Sequence, residues 1–245
     1  MSLSSSTLIH LTTQKAYLVG ILKEGFKVKY CQEDIKTKGG SINGAFPMVS
    51  LSDLPLSELD YHLESYGNYG IGLKKEWAKK NGLNPVLYFD GNSTISHNIR
   101  KDFEDIYKKV LEGKLENKLF QLVTEIMSYM KNYEGTLKTK KITRENYRFS
   151  DEREWRYIPS LDILGSAFPY IVPKNAEEKA KANKKLEHIR LEFTPDDINY
   201  IFVQKESEIQ EIIDIIRNAN ATMPYSSVER LMTRILTTEQ IMTDI

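Results

Sequence analysis

The sequence contains one cysteine, Cys31, and this scarcity excludes two classes of structure. A single thiol can form neither an internal disulfide nor a zinc cluster built from cysteines. The sequence also has no run of 18 apolar residues, so no transmembrane helix is predicted. Its first residues lack the basic and apolar regions of a signal peptide. Together these features predict a cytoplasmic protein with no membrane attachment.

The charges show no surplus of either sign. Lysine and arginine together number 34, and aspartate and glutamate together also number 34. A nucleic-acid-binding domain usually carries a basic excess, so no nucleic acid partner is indicated. Hydrophobic residues make up 40% of the chain and aromatic residues 10%, which is typical of a folded protein rather than a disordered one.

Several catalytic and cofactor-binding motifs are also missing. The stretch YGNYGIGL (66–73) contains GxG but not GxGxxG, and no GxxxxGK[ST] occurs, so neither a dinucleotide fold nor a P-loop is supported. There is no GxSxG nucleophile motif. The 4 histidines lie far apart, with no i, i+4 pair and no HxH, so no metal site is predicted.

Local patterns predict an α+β fold with a mixed or antiparallel sheet at its core. A strand over 8–11 precedes a helix over 14–24, and Gly25 is expected to end that helix in a left-handed conformation. The polar, glycine-containing stretch 32–44 is predicted to be a loop. Residues 144–159 have strand character.

The chain is predicted to be a single α+β domain over 1–218, followed by a helical C-terminal tail over 219–245. A helical insert is expected at about 101–132, because apolar residues recur there at helical spacing. In the tail, Thr237 and Gln240 form a capping-box pattern.

The segment FSDEREWRYIP (149–159) places charges inside an apolar strand pattern. On a strand, Glu152, Glu154 and Arg156 would share one face. The two glutamates would lie roughly 6.5–7 Å apart at the backbone, which is unfavourable unless a cation or ligand lies between them. Either the segment forms a cross-strand ladder of salt bridges, or Glu154 faces a ligand while Trp155 anchors the strand in the core.

Two other places carry candidate binding residues. His10 alternates with Ile9 and Leu11, so it is either a structural histidine or a ligand contact in the first strand. Tyr66 and Tyr69 lie among glycines. That stretch is either a tight turn that leads into a strand or a binding surface on which the ring of one tyrosine stacks on a flat ligand.

Three segments together resemble the AbiGi family over about residues 8–160. They are LIHLTTQKAYLVGILKEGFKVKYC, PMVSLSDLPLSELDYHLESYGNYGIGLKKEWAKKNGLNPVLYF and FSDEREWRY. That family comprises abortive-infection phage-resistance proteins, described as the antitoxin member of a two-gene system. The resemblance implies a phage-defence protein that binds and restrains a partner toxin.

The opening "IHLTT…ILKEGF" is also similar to the start of ADP-ribosyltransferase-like domains. In those domains a first-strand histidine or arginine holds the ribose of NAD, a central tyrosine or serine follows, and a late glutamate acts on the nicotinamide ribose. This second resemblance implies His10 and either Tyr66 or Tyr69 as cofactor-binding residues. It implies Glu154 as the catalytic residue, with Glu152 as the second acid of an ExE pair. The alternative function is therefore an NAD-dependent enzyme that transfers ADP-ribose to a macromolecule.

Overall fold

The computed structural model describes residues 5–114, 117–139, 142–219 and 221–244. This part of the chain combines helices with a mixed sheet, which confirms the predicted α+β class. None of its helices is long and apolar enough to cross a membrane. The strands are β1 (Thr7–Thr12), β2 (Phe26–Lys27), β3 (Lys29–Thr37), β4 (Gly40–Ser52), β5 (Tyr69–Lys74), β6 (Asn84–Pro85), β7 (Leu87–Phe89), β8 (Met130–Asn132), β9 (Gly135–Lys138), β10 (Thr143–Tyr147), β11 (Glu154–Tyr157), β12 (Arg190–Leu191), β13 (Ile198–Val203) and β14 (Ile235–Thr237). The helices are α1 (Lys15–Glu24), α2 (Asp60–Tyr66), α3 (Lys75–Lys80), α4 (Thr94–Leu111), α5 (Asn117–Ser128), α6 (Leu161–Leu164), α7 (Ala176–Lys184), α8 (Ile209–Ala219), α9 (Tyr225–Met232) and α10 (Thr238–Asp244).

The largest sheet has the strand order β14-β13-β5-β1-β4-β11-β6, and β3 pairs with β4 outside this path. Strand β1 lies between β5 and β4 and is antiparallel to both. Strand β11 pairs in antiparallel fashion with the other side of β4, whereas β13 and β14 are parallel. The sheet is therefore mixed, and β4 alone separates β1 from β11.

One residue of β4 fixes the register on both sides. Ser52 is the partner of Ile9 in β1 and of Glu154 in β11. Neighbouring strands lie about 4.8 Å apart, so the backbones of His10 and Glu154 are separated by roughly 10 Å. Ile9, Ser52 and Glu154 stand opposite one another and share a face of the sheet, whereas the side chain of His10 points to the face that carries the main core.

Helix α1 forms where the sequence predicts it. Leu18 and Leu22 are buried in the main hydrophobic core. Gly25 has a φ of 74° and closes the helix, because its N–H donates to the carbonyl of Ile21 at 2.9 Å. The predicted end of the helix at Gly25 is confirmed, but its ψ of −178° lies outside the left-handed helical region, so the predicted left-handed conformation is wrong. A residue without a Cβ adopts this extended conformation with positive φ at little steric cost.

The predicted loop over 32–44 is wrong, because the residues form most of a long β-hairpin. Strands β3 and β4 pair continuously from Lys29 with Met48 to Thr37 with Gly40. The few apolar side chains on one face pack against the insert helices, where they join a second hydrophobic cluster. A strand with so few apolar residues is stable here because another element covers one of its faces.

The helical insert is made of α4 and α5 and begins earlier than predicted, at Thr94. Its expected end at residue 132 is wrong, since 130–132 form β8, which pairs in parallel with β7. Lys131 therefore extends from a strand rather than from the last turn of a helix.

The C-terminal tail is only partly helical. Helices α9 and α10 are present, but β14 lies between them and extends the main sheet beside β13. The predicted capping box is confirmed, since the N–H of Gln240 donates to the Thr237 hydroxyl at 3.1 Å and the Gln240 side chain accepts from the Thr237 N–H at 3.2 Å. The division of the chain at residue 218 stays a prediction.

Candidate functional site

A cavity of about 130 Å³ lies where β1, β4 and β11 meet the end of α2. Both polar and apolar side chains line it, and we call it the polar pocket. Its lining residues are Ile9, His10, Leu11, Ser50, Ser52, Leu54, His62, Tyr66, Lys131, Glu152 and Glu154. The structure thus brings together four of the five residues singled out from the sequence.

The backbone around Arg153 places both glutamates in this pocket. Glu152 is the last residue of a 3-10 helix (Phe149–Glu152), so its predicted position on a strand is wrong. Arg153 adopts a left-handed conformation, with φ 45° and ψ 51°, and β11 begins at Glu154. Such a conformation costs a non-glycine residue roughly 1–2 kcal/mol. The left-handed conformation of Arg153, between the 3-10 helix and β11, lets Glu152 and Glu154 line one cavity without sharing a strand.

Glu154 is buried and held by two cations. The Nε of Arg156 lies 2.8 Å from Oε1 of Glu154, and the Nζ of Lys131 lies 2.8 Å from its Oε2. Burial raises the pKa of Glu154, but the positive charges of Arg156 and Lys131 outweigh burial and hold that pKa well below its usual range. Glu154 is therefore ionised at neutral pH.

Arg156 connects this carboxylate to two other parts of the fold. Its side chain is fully buried, and it donates from Nη2 to Oε1 of Glu33 in β3 at 2.7 Å. It also donates from Nη1 to the carbonyl of Ser128, the last residue of α5. Glu154 therefore faces a cavity, as the predicted ligand-facing arrangement requires, and is also paired with an arginine, as the predicted salt-bridged arrangement requires.

Lys131 is the cation that faces both glutamates. Its Nζ lies 3.6 Å from Oε2 of Glu152, in addition to its close pair with Glu154. Burial lowers the pKa of Lys131, but the charges of Glu154, Glu33 and Glu152 raise it by more, so the net pKa is raised. Sequence reasoning missed this residue, because its position depends on the pairing of β8 with β7, which no local pattern indicates.

Tyr66 contacts the second glutamate. Its hydroxyl donates a hydrogen bond to Oε1 of Glu152, and its ring stacks on that of His62 with centroids 6.4 Å apart. Burial and the charge of Glu152 both raise the pKa of the Tyr66 hydroxyl, which keeps it protonated as a donor. Oε2 of Glu152 keeps capacity to accept a further hydrogen bond.

His10 lies at the edge of the polar pocket, and its ring packs on Phe26 of the main core, with centroids 5.2 Å apart. Its Nδ1 lies 2.9 Å from the carbonyl oxygen of Ser50, which can only accept, so Nδ1 carries the proton in that bond. Burial lowers the pKa of His10, and the bond to Ser50 offsets this only partly. The imidazole is therefore neutral at pH 7, with Nε2 free to accept a hydrogen bond from a bound molecule.

Tyr69, the other candidate tyrosine, does not line the polar pocket. It begins β5, and its hydroxyl donates to Oε1 of Glu208 at 3.0 Å. Trp155 packs against the main core, on the face of β11 opposite Glu154. Of the two tyrosines left open by the sequence, Tyr66 is the one beside the glutamates.

The pocket offers chemistry suited to hydroxyl groups. The carboxylate of Glu152 accepts hydrogen bonds, and the ammonium group of Lys131 donates them. Within the described residues, no three histidine, cysteine, aspartate or glutamate side chains are grouped so as to hold a metal ion. The arrangement can therefore orient a polar, hydroxyl-bearing molecule by its donors.

Comparison with known proteins gives two matches. A family model described as "Putative abortive phage resistance protein AbiGi, antitoxin" matches residues 24–204, a stretch that includes Tyr66, Glu152 and Glu154 and begins after His10. A curated relative from Lactococcus lactis subsp. cremoris, named abortive phage resistance protein AbiGi, is 28% identical over 223 residues. That alignment covers 81% of this chain and 88% of the relative.

No solved structure matches the chain, so the resemblance to ADP-ribosyltransferase-like domains gains no support from the comparisons. The resemblance is predicted over about 8–160, and the family match begins later, at residue 24, and ends later, at residue 204. Because the model covers well over half of the sequence, the chain belongs to the AbiGi family of abortive phage resistance proteins.

Proposed function

We propose that this protein is the antitoxin of a phage-defence system and that it restrains a partner toxin by binding it. The family description names an antitoxin, which implies a toxin partner. The observation that carries the proposal is a row of exposed apolar side chains on α5, which we call the α5 stripe. It consists of Leu119, Leu122 and Ile126, with exposed fractions of 42%, 54% and 49%.

The α5 stripe has the spacing of a helix that docks into a groove. Its residues stand at i, i+3 and i+7, which places them on one face of the helix. The neighbouring face of α5 already packs on the protein through Phe120, Val123 and Met127. The apolar surface of this helix is therefore wider than the part that the protein itself covers, which leaves the α5 stripe for a partner.

Co-expression with the product of the neighbouring gene, followed by affinity purification, tests this proposal. The wild-type chain should retain the partner, and Leu122→Asp should lose it, because a carboxylate would be buried in the interface. Met242→Asp is the matched control, since Met242 is 59% exposed on a different helix. No association with wild type, or equal retention by Leu122→Asp, would contradict the proposal.

A second candidate function, transfer of ADP-ribose from NAD, is favoured by the convergence of His10, Tyr66 and Glu154 on the polar pocket. Breaking the bond to nicotinamide leaves positive charge on the ribose, which a preorganised carboxylate stabilises. Because Lys131 and Arg156 already neutralise Glu154, Glu152 is the carboxylate better able to stabilise that charge.

Release of labelled nicotinamide from NAD tests this second candidate. Wild type should release it above background, while Tyr66→Phe and Glu152→Gln should each be slower. Tyr66→Phe removes only a hydroxyl, so its fold is easily checked by circular dichroism. Background release from all three proteins would remove the enzymatic candidate and leave the antitoxin proposal intact.

A further inference from the structure

A further cavity of about 620 Å³ lies next to the polar pocket, and Leu54 and His62 line both. We call it the arginine cavity. One wall is the first part of α2, with Tyr61 and His62, and the other wall is the segment 145–153, which runs from the end of β10 to the residue before β11. Its volume lies within the range of roughly 300–1,000 Å³ that is typical of binding sites.

Two residues of the second wall have an uncommon backbone conformation. Asn146 has a φ of 54° and Arg153 a φ of 45°, and no other non-glycine residue in the described part of the chain has a positive φ. Such conformations are costly, and in folded proteins they cluster at binding and catalytic sites. Both residues line the arginine cavity, so the fold holds this wall in an unfavourable conformation beside an open space.

Arg153 brings a guanidinium group to the cavity without an acceptor for all of its donors. Its Nη1 is buried, yet no described residue accepts a hydrogen bond from it. Arg156, by contrast, is fully buried and pairs with Glu33 and Glu154. A buried donor without an acceptor costs free energy, and native proteins rarely leave one. The acceptor for Arg153 is therefore expected to come from outside the chain.

His62 offers the complementary group. Its Nδ1 lies 3.2 Å from the carbonyl oxygen of Glu58, which can only accept, so Nδ1 carries the proton. Burial lowers the pKa of His62, and the bond to Glu58 offsets this only partly, so the ring is neutral at pH 7. Its Nε2 is then a buried acceptor for which the described residues supply no donor. A molecule that satisfies both walls must carry an acceptor for Arg153 and a donor for His62.

The rim of the arginine cavity limits the charge of that acceptor. Glu58, Glu145 and Asp151 line the cavity and are exposed, so water solvates their carboxylates. Three negative charges at the entrance disfavour a dianion such as a phosphate. A single carboxylate fits better, because its two oxygens match the planar fork of a guanidinium group.

From this arrangement we infer that the arginine cavity binds a carboxylate of a partner polypeptide. The carboxylate pairs with the guanidinium group of Arg153, and a backbone N–H of the same polypeptide donates to Nε2 of His62. A polypeptide supplies both groups next to each other, either at its C-terminus or at an aspartate or glutamate residue. The inference deepens the antitoxin proposal by adding a contact outside the α5 stripe, and it rests on that proposal only for the identity of the partner.

Isothermal titration calorimetry of the full chain with three acetylated tetrapeptides tests the inference. The first is tetra-alanine with a free C-terminal carboxylate, the second is the same peptide as a C-terminal amide, and the third is an amide with aspartate at its second position. Wild type should bind at least one of the two carboxylate peptides with a Kd below about 10 mM, and the neutral amide should not saturate at that concentration.

Arg153→Gln should weaken binding of the carboxylate peptide at least about tenfold, because the charge-assisted hydrogen bonds are lost. The variant should fold, since arginine and glutamine both carry a Cβ at this φ, and circular dichroism checks this. Arg217→Gln is the matched control. Arg217 lies on α8 with 53% of its side chain exposed, and its loss should leave peptide binding unchanged.

The carboxylate peptide that binds identifies whether a chain terminus or an acidic side chain is the source. Binding of a carboxylate peptide that Arg153→Gln weakens and Arg217→Gln does not supports the inference. It is overturned if neither carboxylate peptide saturates wild type, if the neutral amide binds as well, or if Arg153→Gln binds with wild-type affinity. The antitoxin proposal is decided separately, by retention of the neighbouring gene's product and its loss in Leu122→Asp.

Discussion

Lys131 and Glu154 form a buried ion pair between β8 and β11, with Nζ 2.8 Å from Oε2. The pair joins the end of the helical insert to the central sheet. Glu152 also lies within 3.6 Å of the same ammonium group, so one lysine holds two carboxylates in the polar pocket. Its removal would leave two acidic groups facing each other in a buried site.

We therefore expect Lys131→Met to destabilise the protein by about 3 kcal/mol, because breaking a buried pair leaves an uncompensated charge. Lys36→Met serves as the control. Its Nζ pairs with Asp34 at 2.6 Å, but both side chains are largely exposed, so the loss should be under about 1 kcal/mol. Urea unfolding measures both values, and similar losses for the two variants would contradict the expectation.

A second prediction concerns the effect of substitutions at Arg153, whose backbone is left-handed, on the free energy of unfolding. Arg153→Gly should unfold with about the wild-type free energy, since glycine adopts a φ of 45° without strain. Arg153→Val should be less stable than Arg153→Gly by about 2 kcal/mol, because a β-branched residue fits this region poorly.

Arg148 supplies the control for that pair of variants. Its φ is −87° and its ψ is 96°, an extended conformation that valine adopts readily. The order of the two substitutions should reverse, with Arg148→Val at least as stable as Arg148→Gly in urea. If valine and glycine rank alike at both positions, backbone conformation does not explain how the glutamates are placed.

The burial of His10 predicts that the free energy of unfolding depends on pH. Its pKa in the folded protein is lowered, mainly by burial, so the unfolded chain binds a proton more readily. The stability that neutral His10 contributes is complete above about pH 6.5 and falls as the pH drops below that value. The difference in unfolding free energy between wild type and His10→Gln should therefore shift against wild type from pH 7 to pH 5. A constant difference across this range would contradict the prediction.

Two glycines of the α1 region should respond in opposite directions to alanine. At Gly25 a Cβ would lie 2.9 Å from the carbonyl oxygen of Leu191, and φ is 74°, so Gly25→Ala should cost at least about 1 kcal/mol. At Gly20 the space is open, and Gly20→Ala should gain about 0.5–1 kcal/mol. Melting temperatures should move down for the first variant and up by about 2 °C for the second. The same sign for both would refute this account of the helix.

The sequence predicts features that depend on neighbouring residues. The α1 helix and its end at Gly25 follow from local spacing and from one residue with a free φ. The proximity of His10, Tyr66 and Glu154 is predicted only from a family resemblance. No local pattern at any of the three indicates the strand order that brings them together.

Other features could not be predicted because they depend on the tertiary fold. The β3–β4 hairpin carries too few apolar residues to be identified as strands without the insert helices that cover it. The left-handed conformation of Arg153 has no signal in its residue type, since arginine seldom adopts it. The position of Lys131 requires the pairing of β7 with β8, which local periodicity does not encode.

The guanidinium of Arg156 holds the last carbonyl of α5 on one side and the carboxylate of Glu154 on the other. The outer surface of the insert and the interior of the pocket therefore share one rigid connector. If a bound partner shifted the C-terminal end of α5, the guanidinium of Arg156 and the carboxylate of Glu154 would shift with it. Binding at the α5 stripe and binding in the polar pocket would therefore affect each other through Arg156.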